Sequence, residues 1–121
     1  MKKLPKEFSD LERFVDAGWA LPREHDRWRR RVESTTAEIK DFYETMLPRV
    51  DSIVQHLDRY SLEALPEKDR PLFYLALAFM DVAPAWEVFQ ASDLPEPVFP
   101  IDRMHIVERE YPWEKSAAAG A

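Results

Sequence analysis

The sequence predicts an all-α fold, a small helical bundle closed by an extended proline-rich C-terminal strap, and three observations carry that expectation. Within 71–89, Leu72, Leu75, Phe79, Val82, Trp86 and Phe89 recur in alternating steps of three and four, which places all six on one seam of a helix. Between Pro22 and Met46, the residues Trp28, Val32, Thr35, Ile39, Phe42 and Met46 keep the same rhythm and offer that seam a partner. Leu-Pro pairs at Leu4-Pro5, Leu21-Pro22, Leu47-Pro48, Leu65-Pro66 and Leu94-Pro95 punctuate the chain, and proline's fixed φ suits the first turn of a helix. Their irregular spacing argues against a solenoid repeat.

The first element is expected as a short helix from Pro5 or Ser9 to Ala17. Ser9 and Glu12 have capping-box spacing, Phe8, Leu11, Phe14 and Val15 form an apolar stripe, and Gly18 stands where a left-handed residue ends a helix. Trp19 should then fold back onto Phe14. A long helix follows from Pro22, and at Pro48 its rhythm slips to Met46, Val50, Ile53, Leu57, Tyr60, so it must kink or break there. Ser61 to Leu65 makes a turn, Asp69 is a candidate cap, and the central helix should bend near Pro84, whose ring displaces the carbonyl of Met80. Pro95, Pro97 and Pro100 favour an extended strap pinned by Val98, Phe99 and Ile101, with Met104, Ile106 and Val107 continuing it. Residues 1–110 are read as one helical domain and 111–121 as a flexible tail.

The central helix is apolar almost all round. Besides its seam it carries the line Phe73, Leu77, Met80, Pro84 and a third line Tyr74, Ala78, Asp81, Ala85, Val88. One short and two long helices cannot easily cover three lines, so the chain is expected to form a homodimer, with the narrow third line at the two-fold contact.

Composition excludes much chemistry. The chain has 121 residues and no cysteine, which removes disulfides, thiolate nucleophiles and cysteine-ligated metals. Glycine occurs only at 18 and 120, so neither a phosphate-binding Gly-rich loop nor a serine nucleophile elbow can form. Residues 1–31 carry a balance of +3 and residues 32–121 a balance of −9, giving −6 overall, a poor match to a nucleic-acid binder. The run Arg27-Trp28-Arg29-Arg30-Arg31 is basic and aromatic, but 100° steps spread it around the helix. Glu7 and Asp10 interrupt the N-terminus before a signal core could form, which points to a cytoplasmic protein. The longest apolar run, 71–80, is half the ~20 residues of a membrane span, so no membrane crossing is expected.

Asp81 is the polar residue that most needs explaining, because a carboxylate on an apolar helix is costly to bury unless paired. It is expected either to pair with an arginine or to floor a pocket with Tyr74, Ala78, Ala85 and Trp86. Glu38, Asp41 and Glu44 at i, i+3, i+6 have a spacing by which helices donate carboxylates to metals, and this loosely resembles magnesium-dependent all-helical nucleotide pyrophosphohydrolases. A di-iron bundle needs Glu-x-x-His, which is absent. His25, His56 and His105 lie on separate segments and form no ligand pair. The expectation is therefore a non-catalytic accessory or subunit protein, without cofactor or metal, acting by self-association or partner binding. A small-molecule or metal-dependent enzyme built on Asp81 or the Glu38 line is the alternative.

Overall fold

The computed structural model describes residues 3–93, 101–103 and 105–114, and among these it is all-α, with five α-helices and no strand. A 3-10 segment Lys6–Leu11 leads into α1, Glu12–Asp16; α2 spans Glu24–Val32, α3 Thr36–Met46, α4 Val50–Leu57 and α5 Arg70–Pro84. The helix α5 is in contact with every other α-helix, so it occupies the middle of the bundle as the sequence anticipates.

At the N-terminus Phe8, Leu11 and Phe14 are buried as a stripe. Glu12, however, does not box with Ser9: its carboxylate accepts the amides of Lys3 at 2.8 Å and Leu4 at 2.7 Å, tying down the incoming chain. Gly18 takes φ +85°, a conformation L side chains avoid, and ends α1. Trp19 then stacks on Phe42, with ring centroids 4.3 Å apart, instead of on Phe14, which meets Phe42 edge-on at 5.0 Å.

The long helix expected from Pro22 to Met46 is two helices. Thr35 takes extended backbone and caps α3: its hydroxyl accepts the Glu38 amide at 3.1 Å, while the Glu38 carboxylate accepts the Thr35 amide at 2.9 Å. Satisfying two amides at once makes this a strong start signal, and it overrides an apolar rhythm that runs on through it. In α2 the buried residue is Arg27, not Trp28, which is half-buried. At Pro48 the helix tightens into a 3-10 turn, Leu47–Arg49, before α4, so helical backbone is kept across the kink.

Leu72, Leu75, Ala78, Val82 and Ala85 form the buried face of the central helix. It keeps Leu72, Leu75 and Val82 of the predicted seam and turns part-way toward Ala78 and Ala85: Phe79 and Trp86 are half-buried against the core and Phe89 is exposed. Small side chains explain the rotation, since Ala78 and Ala85 let α2 and α3 approach closely. Beyond Pro84, which has no amide to give Met80, the chain adopts a π-helical turn, Ala85–Phe89, that ends at left-handed Gln90. The helical stretch Glu67–Phe89 is 23 residues long and contains an 18-residue window as apolar as a membrane span, which counting one uninterrupted run did not reveal. As folded here, its buried face is the core of the bundle.

Of the C-terminal segment, Pro95, Pro97, Pro100, Val98, Phe99 and Met104 lie outside the described residues. Ile101 is buried in a 3-10 turn, Ile101–Arg103, and Ile106 and Val107 are irregular, not strand. Contacts continue past residue 110: Tyr111 stacks on Trp113 at 4.8 Å, its hydroxyl donates to the Pro22 carbonyl at 2.5 Å, and Arg23 pairs with Glu114. Residues 111–114 are therefore docked rather than part of a loose tail.

Candidate functional site

The third line of the central helix is enclosed within the chain. Ala78 and Ala85 are buried, Tyr74 lies against Tyr111, and Trp86 packs near Tyr43, leaving only Val88 open, so these residues do not form the surface expected to meet a second copy. Tyr43 also stacks on Phe79 and donates its hydroxyl to Glu87 at 2.6 Å, an interaction that raises the phenol's pKa.

Asp81 is paired with an arginine, as one of the two sequence readings held. The Arg27 Nε donates to its carboxylate at 3.3 Å. The buried Arg27 guanidinium also donates to the carbonyls of Leu21 at 2.9 Å and Pro22 at 2.8 Å and to Glu24 at 2.8 Å, acceptors that lie just before and at the start of α2. Burial pushes the Asp81 carboxyl up to about 7, Glu24 adds to the rise by hydrogen bonding and by its negative charge, and Arg27 only partly offsets them. Two carboxyls thus share one guanidinium, an arrangement that fixes α2 onto α5.

The acidic line is dispersed into separate pairs. Glu38 serves the capping box and lies 3.6 Å from Arg30, Asp41 makes a two-pronged contact with Arg13 at 2.6 and 3.0 Å, and Glu44 reaches Lys40 at 4.0 Å. The Arg13 hydrogen bond holds the Asp41 carboxyl below its usual range, as the Thr35 backbone does for Glu38. Among the described residues no three His, Asp or Glu side chains converge on a metal position. The arginine run is equally divided, with Arg29 on Glu33 and Asp102, Arg30 on the Ala17 carbonyl, and Arg31 on the Ser92 carbonyl.

Two features of the surface remain. The first is apolar: Met80 is 68% exposed on the line that also carries Phe73, Leu77 and Pro84. Beside it runs a groove of about 300 Å³ between α4 and α5, lined by Val54, Leu57, Leu62, Leu65, Phe73 and Met80, with Asp58 its one charged side chain. A smaller hollow of about 150 Å³ reached past Val54 and Met80 is lined by Met46, Ile53 and Phe79.

The second is polar, an open cleft of about 410 Å³ lined by Glu7, Phe8, Arg49, Ser52, Gln55, His56 and Arg59. Asp69, read from sequence as a cap for α5, gives no cap bond and is fully buried, its Oδ1 3.0 Å from His56 Nε2. Arg59 donates to the other ring nitrogen of His56 at 2.7 Å. Sequence reading set the three histidines apart and did not find this pair. The usable signal was the 3, 4, 3 spacing of Arg49, Ser52, His56 and Arg59, which brings them to one side of a helix. His105 is exposed and His25 lies near Trp28, so the histidines do not converge. Compared with protein-family models, with curated proteins and with solved structures, the chain matches none.

Proposed function

We propose that the chain is a non-catalytic accessory or subunit protein that acts by self-association through the open line of α5. Physically, a helix whose second apolar line leaves Met80 exposed, next to a groove that is itself apolar, gains from burying both. Met80 projects beside the hollow formed with Val54, so one face carries both a flexible knob and a receptor for it. That combination is self-complementary, which is what a two-fold contact between identical chains requires. The residues differ from those expected from sequence: the Phe73, Leu77, Met80, Pro84 line replaces the Tyr74, Ala78, Ala85, Val88 line. The exposure of Met80 beside this groove carries the reading.

Light scattering on the purified chain at micromolar concentration tests it. Wild type should run at twice the monomer mass of 14.3 kDa, and Met80→Lys, which alters an exposed side chain, should run as a folded monomer. A wild-type monomer would refute self-association, and a Met80→Lys dimer would refute this face.

A further inference from the structure

We propose that the cleft between the N-terminal 3-10 segment and α4 binds a phosphate group of a small molecule, with Arg59 as the principal anchor. In sequence, Arg49, Ser52, His56 and Arg59 follow one another at 3, 4, 3, and all four line the cleft together with Gln55. Successive 100° steps put this side of α4 nearly opposite Val54, Leu57 and Asp58, which line the apolar groove, so the two surfaces are separate.

The chemistry is set from below. Buried Asp69 accepts a hydrogen bond from His56 Nε2, which fixes the proton there and leaves Nδ1 as an acceptor. Arg59 fills that acceptor with Nη2 at 2.7 Å and donates Nε to the His56 carbonyl at 3.1 Å. Imidazole thus bridges a buried carboxylate to a surface guanidinium and holds the latter in place. Neither of these Arg59 acceptors is a carboxylate, and among the described residues Arg59 makes no ion pair with one. Its charge is therefore available to an anion in the cleft.

Arg49 stands on the same side, held by the Glu7 carbonyl at 2.7 Å and 3.5 Å from Asp10, with its guanidinium 5.1 Å from the Phe8 ring centroid. Ser52 and Gln55 add two neutral donors. Two guanidinium groups, a hydroxyl and an amide offer more donors than the two oxygens of a carboxylate can use, and they suit the oxygens of a phosphate. Glu7 is the opposing charge: its carboxylate lies 3.7 Å from His56 Nδ1 and is exposed, so it can swing into solvent when an anion arrives.

Titration of wild-type protein with inorganic phosphate, followed by the His56 ring resonances at constant ionic strength, tests the assignment. A saturable shift is expected, weakened by about tenfold in Arg59→Gln and less in Arg59→Lys, with thermal melts confirming that both variants fold. Absence of saturation in wild type would overturn the site. Equal affinity in Arg59→Gln would overturn the role of Arg59, and acetate binding as tightly as phosphate would overturn the choice of ligand. Wild-type titration decides the matter even where a variant fails to fold, and none of these outcomes depends on the association state.

Discussion

Glu108 caps the N-terminus of α2 from the far end of the chain: one carboxylate oxygen accepts the Glu24 amide at 2.6 Å and the other lies 3.4 Å from the His25 amide. Arg23, the local residue at the cap position, contributes no side-chain bond, so the helix relies on a group 84 residues away. An anion there also meets the positive end of the helix dipole.

Replacing Glu108 with Ala should therefore cost roughly 0.5–2 kcal/mol, the range for loss of a helix cap. Glu108→Gln should cost less, because its amide oxygen still accepts. Urea unfolding of the three proteins measures this, and equal midpoints for wild type and the alanine variant would show that the cap is not made in solution.

The Asp81–Glu24–Arg27 cluster predicts a pH dependence with a definite sign. Asp81 has its carboxyl raised from 3.8 to about 7 in the folded chain, so between those values the native state binds more protons than the unfolded state. Stability from this group is fully present below about pH 4 and is lost as pH rises toward 7, a change on the order of 1–4 kcal/mol. Asp41, Glu38 and Glu114, whose carboxyls are held below their usual range, act oppositely and lose stability as pH falls through their lowered values. The two trends place the maximum in mildly acid solution. In Asp81→Asn the fall toward neutrality should flatten, and at pH above 7 the variant should be at least as stable as wild type. Sequence alone favoured destabilisation, on the premise of a simple arginine pair; burial of the carboxylate, with Glu24 adding a second negative charge beside it, gives the opposite sign. Melts of both proteins across pH would refute this if the variant kept the wild-type slope.

Helical class was legible in the sequence because a period near 3.6 survives whatever tertiary contacts follow, and Pro48, Pro84 and Gly18 act through their own covalent geometry. The break at Thr35 was also written there, as Thr-x-x-Glu, but an apolar rhythm that ran through it was given more weight. Leu72, Leu75 and Val82 of the seam do turn inward; what could not be read was that Ala78 and Ala85, and not Phe79 and Trp86, complete that face. Phe79 is the larger apolar residue, yet Ala78 is the buried one, because close helix approach rewards a small side chain and only the assembled neighbours reveal that. Likewise Asp69 and His56 are 13 residues apart across a turn, and Glu108 lies 84 from its target; no local pattern links such pairs.

That rotation of α5 can be tested through two phenylalanines. Phe42 is fully buried between Trp19, stacked at 4.3 Å, and Phe14, edge-on at 5.0 Å, so truncation would leave an enclosed void with aromatic walls. Phe79 is half-buried, stacks on Tyr43 at 5.6 Å, and borders the hollow already present beside Met80. Removing it enlarges a recess next to the surface, where water and neighbouring side chains can relax into the space. Phe42→Ala should therefore cost about 3–5 kcal/mol, and Phe79→Ala, which the predicted seam would put in that same range, only about 1–2 kcal/mol. Urea unfolding of both variants gives the order directly. A cost at Phe79 equal to or above that at Phe42 would mean that α5 packs through the seam read from sequence, with Phe79 rather than Ala78 turned into the core.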